Sequence, residues 1–182
     1  SIQELEQYCA YYWSEEANYA RKIYLKDDTL RYFRSESNES KLVPVGKDSF
    51  RMEDVSSLIT VKFEIEQDLS TTMVVKEGDN DPGRLSKYTP PEIDLVLLNS
   101  YAGSYFSPEL DTYYDLYVQG DSILMGNHVR HGDFEIHILR ENFLEAELWP
   151  LRSIRVERNK KGRILGFYVS NGRVRNLWFE KQ

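Results

Sequence analysis

Hydrophobic side chains recur at every second position over much of the chain. Val61, Phe63 and Ile65 alternate with Lys62, Glu64 and Glu66. Ile154 and Val156 alternate with Arg155 and Glu157, and Phe134, Ile136 and Ile138 with Asp133, Glu135 and His137. Successive side chains of a strand point to opposite faces, so each run predicts a strand with one dry and one wet face. Short turn signals punctuate the runs: Gly120-Asp121, Gly132-Asp133, Asn159-Lys160-Lys161-Gly162 and Asn171-Gly172, the last being the pair a tight type I′ hairpin favours. Between these signals the second half reads as about eight strands, near residues 101–106, 112–118, 121–126, 133–139, 142–147, 152–158, 163–169 and 173–180. Helix is expected only as a turn or two at Glu4 to Tyr8 and at Ser14 to Asn18.

The pattern occurs twice. Shifting the chain by 93 residues aligns Leu5–Leu30 with Leu98–Ile123 without a gap, and seven of the 26 pairs are identical: Leu5/Leu98, Tyr8/Tyr101, Tyr12/Tyr105, Ser14/Ser107, Glu16/Glu109, Tyr24/Tyr117 and Asp28/Asp121. The same offset matches Val45 to Ile138, Phe50 to Phe143 and Val61 to Ile154, and one inserted residue brings Val75 onto Val169. Two homologous modules follow, 1–88 and 95–182, joined by a proline-rich linker at 89–94 in which Pro90-Pro91 interrupts regular structure. Eight short strands joined by tight turns bury one face either by curling shut or by sandwiching. Up-and-down connectivity favours the first, so the expected fold is all-β: two tandem small antiparallel barrels of about eight strands, with a pair of sandwiches as the alternative. In modules this short, bulky side chains such as Tyr105, Phe106, Tyr114, Leu116 and Ile154 are expected to fill the interior.

Composition narrows the partners. Lys and Arg number 23 against 30 Asp and Glu, a net charge of −7, which disfavours nucleic acid. The longest apolar run, Leu95-Val96-Leu97-Leu98, is too short to span a bilayer. Ser1-Ile2-Gln3-Glu4 has no signal-peptide features, which leaves export open. Cys9 forms no internal disulfide, being the one cysteine, and its setting between Tyr8 and Ala10 reads as the first strand and core-like.

Chemistry-bearing clusters are few. His131, Asp133, Glu135 and His137 share one strand face, but Phe134, Ile136 and Ile138 claim the inner face. The four are therefore read as solvated, and no metal or cofactor is assigned. Residues 152–175 carry eight cations, Arg152, Arg155, Arg158, Lys160, Lys161, Arg163, Arg173 and Arg175, against the single acid Glu157. They form a wet hairpin face that also blunts edge pairing, and a candidate interaction surface for an acidic partner surface or an anionic ligand. No Ser-x-x-Lys, Gly-x-Ser-x-Gly, Walker or His-Glu-x-x-His motif occurs, so no catalytic residue is assigned.

Leu98-Asn99-Ser100-Tyr101-Ala102-Gly103-Ser104-Tyr105, followed by Ser107-Pro108-Glu109-Leu110, and the closing run Gly166–Phe179 resemble the lipocalin-like C-terminal region of serine hydrolases related to class C β-lactamases, penicillin-binding proteins and D-aminopeptidases. The resemblance covers both modules and is clearer in the second. In the first, Tyr8-Cys9-Ala10-Tyr11-Tyr12 has Ala10 where the family's Tyr-x-Gly-x-Tyr has glycine. Hydrolysis in that family belongs to an N-terminal domain with a Ser-x-x-Lys nucleophile, a Tyr-x-Asn element and a Lys/His-x-Gly strand, none of which is read here. The resemblance implies a non-catalytic tail of a larger, periplasmic or extracellular enzyme, partnered with a catalytic domain of the same polypeptide, whose barrels flank the active site and place a loop over its entrance. The alternatives are a free-standing lipocalin-like protein for small ligands and an adhesion or assembly module.

Overall fold

Strands form wherever the alternation runs, and turns form where Asp, Asn or Gly breaks it. The computed structural model describes residues 2–35, 37–68, 70–172 and 174–182. In the first unit, Ser1–Thr89, a short helix α1 (Ile2–Glu6) precedes β1 (Ala10–Ser14), β2 (Tyr19–Lys26), β3 (Thr29–Ser35), β4 (Asn38–Gly46), β5 (Ser49–Met52), β6 (Ile59–Ile65), β7 (Thr71–Glu77) and β8 (Gly83–Tyr88). In the second, Pro90–Gln182, helix α2 (Leu95–Tyr101) precedes β9 (Gly103–Ser107), β10 (Thr112–Gln119), β11 (Ile123–His128), β12 (Gly132–Arg140), β13 (Phe143–Glu145), a 3-10 turn (Trp149–Leu151), β14 (Ile154–Arg158), β15 (Ile164–Asn171) and β16 (Val174–Lys181). Each strand pairs antiparallel with its neighbours in sequence. The first sheet closes through β1 and β8, with Tyr12 opposite Lys87, and the second through β16 and β9, with Lys181 opposite Tyr105. The chain is thus two closed eight-stranded antiparallel barrels in tandem. Closure leaves no unpaired sheet edge, which a sandwich would.

All eight strands read in the second module are present. Two elements differ from expectation. Ser14 to Asn18 is the β1–β2 turn, closed by Asn18 N–H donating to Ser14 O at 2.8 Å, with Asn18 at φ 54°. Helix α2 forms where the sequence pattern predicts none. Asp94 caps it, its carboxylate accepting from Leu97 N–H at 2.7 Å. Leu98 and Tyr101 turn inward from it and leave Val96 in solvent.

The repeated tyrosines build the same corner twice. Tyr12 Oη donates to Tyr8 O at 2.9 Å, and Tyr105 Oη to Tyr101 O at 2.6 Å. Tyr8 and Tyr101 in turn plug the helix end of their barrels. Tyr8 Oη donates to Asp48 Oδ1 at 2.6 Å and Tyr101 Oη to Glu141 O at 2.7 Å, each reaching the turn after the fourth strand of its barrel. Burial, then the hydrogen bond to Asp48, pushes the Tyr8 phenol up to about 12. Rings fill the middle: Tyr8 stacks on Phe63 at 4.5 Å in the first barrel, and Tyr105 packs tilted against Phe167 at 4.7 Å in the second.

Glycine is required at the second corner and dispensable at the first. Gly103 has φ 141°, and a Cβ there would meet Lys181 Cε at 2.9 Å. Ala10 has no positive φ, so β1 starts with ordinary backbone. Cys9 precedes β1 instead of lying in it; it is half-buried, and its Sγ lies 3.9 Å from Leu5 O. Burial raises its thiol pKa.

Register corrects two details. Leu25 faces Leu30 and Val118 faces Leu124, so Leu30 corresponds to Leu124 rather than Ile123, the β10–β11 turn being one residue longer. Phe50 then corresponds to buried Leu144, not to Phe143, which points outward. A shift of one residue exchanges inside for outside. The same parity overturns the placement of Phe106. Tyr105, Tyr114, Leu116 and Ile154 are buried, but Phe106 lies on the outer face, its ring 4.6 Å from that of Tyr113.

Candidate functional site

The basic segment forms a stripe along one wall of the second barrel rather than a pocket. Arg152, on the loop before β14, and Arg175, on β16, are exposed near the end away from α2. Lys160, Lys161 and Arg163 lie at the helix end on the β14–β15 turn, which Asn159 organises by accepting from the N–H groups of Lys161 and Arg163 at 2.9 and 3.0 Å. Five strand residues separate the two groups, roughly 17 Å of β14. Arg173 lies outside the described residues. Among the described residues, none of these cations has a carboxylate within 4.0 Å.

Two of the arginines are engaged locally. Arg158 donates to Asn142 Oδ1 at 3.0 Å, Gly162 O at 2.9 Å and Glu141 O at 3.4 Å, with its guanidinium 5.5 Å from the Tyr101 ring. It therefore ties two turns to the helix plug. Arg155 is central to an outer ladder: it faces Phe143 on β13, lies 4.8 Å over the Tyr168 ring on β15, and the Tyr168 ring lies 4.7 Å from that of Trp178 on β16, tilted by 46°. Lys181, on the same face of β16 as the buried Phe179, lies 5.5 Å over the Tyr105 ring and donates to Ser100 O at 2.8 Å. Burial, then the charges of Arg163 and Arg158, lowers its pKa. Contrary to the sequence reading, Lys-x-Gly occurs twice, at Lys160-Lys161-Gly162, which forms a turn, and at Lys76-Glu77-Gly78, where β7 ends and a turn begins at Gly78 with φ 53°; neither triplet lies wholly in a strand, as the hydrolase element requires.

The histidines do not converge. His137 Nδ1 lies 3.5 Å from Glu135 Oε1 on the outer face, and Asp133 accepts from Asn127 Nδ2 at 2.8 Å. Among the described residues no group of three His, Cys, Asp or Glu side chains is placed to hold a metal ion. His128, instead, faces inward and is 6% exposed, its ring stacked 4.5 Å from Tyr114 and 4.8 Å from His131. Its Nδ1 accepts from Arg130 N–H at 3.1 Å, which leaves the proton on Nε2 to donate to Thr112 Oγ1 at 2.9 Å. Burial, followed by the charges of His131 and Arg130, depresses its pKa, so the ring is held neutral.

A second constellation escaped the sequence pattern. In the first barrel, register places Arg21 of β2 and Arg34 of β3 on the inner face, with Ile23 and Tyr32. Both lie toward the end away from α1. Arg34 donates to Asn38 Oδ1 at 2.9 Å and Ser40 Oγ at 3.1 Å, places Nη2 2.7 Å from Met52 Sδ, and lies 4.8 Å over the Tyr32 ring. Arg21 donates to Ala20 O at 2.7 Å and lies 4.1 Å over the Tyr19 ring. Only register, which aligns residues 13 apart on neighbouring strands, could have disclosed the pair.

Compared with known proteins, the chain matches no family model and no curated protein.

Proposed function

We infer that the chain is a non-catalytic accessory module of a β-lactamase-like serine hydrolase, shaping substrate access to a catalytic domain elsewhere in the same polypeptide. The observation that carries this reading is the filled interior. The rings of Tyr8, Phe50 and Phe63 meet within the first barrel, and those of Tyr105, Phe167 and Phe179 within the second, each at most 5% exposed. A ligand calyx needs that volume for its guest. Once the middle of each barrel is occupied, the walls, the turns and the barrel ends are left to act, and the walls and turns suit contact with another protein surface. The resemblance supplies the kind of partner; its Tyr101, Gly103 and Tyr105 serve here to build the helix-to-strand corner.

The test is the coding sequence upstream, expected to continue into a domain with a Ser-x-x-Lys nucleophile. In that parent, removing residues 1–182 is expected to change kcat/KM for bulky substrates more than for small ones. An upstream region without such a domain, or equal effects on both substrate sizes, would refute the reading. An assembly role gains support from the stripe around Arg155, whose described cations have no carboxylate of the described residues within 4.0 Å, and reversal of Arg155 and Arg163 to Glu tests it through loss of association with an acidic partner.

A further inference from the structure

The two barrels carry different chemistry at one matched place. Counting by register, Tyr19, Arg21 and Arg34 of the first barrel correspond to Thr112, Tyr114 and His128 of the second. In the second barrel these positions are uncharged and mutually satisfied: the ring of Tyr114 stacks on a neutral His128, which hydrogen-bonds to Thr112. The architecture therefore closes without any charge there. The first barrel places two guanidiniums at the same positions.

Those guanidiniums are incompletely satisfied. Both are half-buried, and among the described residues neither has a carboxylate within 4.0 Å. Arg21 Nε is buried with no hydrogen-bond partner. The titratable groups beside Arg34 are the buried, neutral Tyr32 phenol and the Arg21 guanidinium, and burial together with the Arg21 charge lowers the Arg34 pKa. Two like charges withdrawn from water, with a donor unused, form a site that lacks its anion. Each guanidinium presents a planar fork of donors, the geometry that takes up carboxylate or phosphate oxygens. Exposed acids on the turns of the same end, Glu15, Glu16, Asp54, Asp79 and Asp81, disfavour a broad polyanion and leave a compact oxyanion as the guest.

We propose that Arg21 and Arg34, inside the first barrel at the end away from its helix, bind a single small oxyanion of the carboxylate or phosphate type. The site is independent of the accessory-module reading: it belongs to the first barrel and requires no catalytic partner. Tyr19 and Tyr32, under the two guanidiniums, hold them by their faces, and Arg21 Nε–H, together with the Nη protons not already bonded to Ala20, Asn38 and Ser40, is what remains for the anion.

The experiment uses the full 182-residue chain labelled with 15N, following the arginine Nε–Hε resonances while sodium acetate or sodium methyl phosphate is added against sodium chloride of equal ionic strength. The expected result is a saturable shift of the Arg21 and Arg34 resonances with at least one of the two anions, while exposed Arg155 shows only the salt response. Saturation by acetate alone identifies a carboxylate, by methyl phosphate alone a phosphate, and by both the shared fork chemistry. In Arg21→Gln, affinity is expected to fall by about tenfold or more. Its melting temperature without anion should not fall, because one of two repelling charges is gone. Neither resonance moving with either anion up to about 50 mM, well beyond the millimolar range of a weak charge-assisted site, would overturn the proposal. Equal affinity in wild type and folded Arg21→Gln would do the same. Should Arg21→Gln unfold, the wild-type titration and Arg34→Lys, which keeps the charge and loses the fork, decide the matter: undiminished affinity in Arg34→Lys refutes bidentate recognition.

Discussion

Tyr105 and Phe106 are adjacent, aromatic and on one strand, yet parity gives them opposite surroundings. Tyr105 is 1% exposed, packs against Phe167 and donates to Tyr101 O. Tyr105→Ala is expected to cost about 3–5 kcal/mol in chemical denaturation, as large aromatic truncations in cores do. Phe106→Ala, which removes only an outer, tilted ring contact with Tyr113, is expected to cost about 1 kcal/mol. Equal losses for the two would contradict the register. Composition could not separate these residues, because a doublet reads as apolar at both positions; only the strand phase, set by the Gly103 corner, decides which ring enters. His128 supplies a pH signature. Its folded pKa is lowered, so the unfolded chain binds the proton more readily and stability falls as the pH drops. That contribution is complete above the ordinary imidazole value of 6.5 and is eroded as the pH falls from there through the lowered folded value. Comparing melting temperatures of wild type and His128→Gln between pH 7.5 and 5 (roughly the span of imidazole titration) should show a shallower decline in the variant.

At the level of elements, the strands of the second barrel were legible because nearly every turn carries Gly, Asn or Asp beside a two-residue alternation. Helix α2 was not, since seven residues are too few to display a helical period. Its signals were local: Asp94 as a cap, and its position 93 residues after α1 in a repeated chain. The Arg21–Arg34 pair was illegible for a different reason, as nothing in a strand's own pattern reveals what the next strand places beside it. The hairpins β3–β4 and β11–β12 show how pairing, more than any one strand, is the unit of design. Tyr32 faces Ser40 in the first and Gly126 faces Phe134 in the second, so a ring enters the barrel from the earlier strand in one case and from the later strand in the other. A Cβ on Gly126 would lie 2.5 Å from the Phe134 ring. Gly126→Tyr alone is expected to destabilise by overpacking, by about 1–3 kcal/mol, and Phe134→Ser alone by leaving a void. The double variant should recover about 1 kcal/mol or more relative to the sum, measured by a double-mutant cycle in urea. Strict additivity would mean that the two positions do not share one volume.

For the whole molecule, each unit closes its own sheet, plugs it with its own helix and encloses its own core, Tyr12 and Phe63 in the first and Tyr105 and Phe179 in the second. Separately expressed 1–89 and 90–182 are therefore expected to be β-rich by circular dichroism, and each should melt cooperatively. Two unfolded fragments from a chain that melts as one would show that stability is shared between units. The proline pair in the sequence, and the repeat around it, made two modules legible. Their chemistry was less so, because the basic stripe is contiguous in sequence whereas the arginine pair is assembled by closure.

The exchanged rings of the two hairpins also limit how the coding sequence can change. An unequal crossover between the halves that joined β3 of the first barrel to β4's counterpart in the second would bring Tyr32 and Phe134 into one space. The reciprocal product would pair Gly126 with Ser40 and leave that space empty. Recombinants that retain a folded barrel should therefore have their breakpoints outside this hairpin, so the pair is inherited as a block.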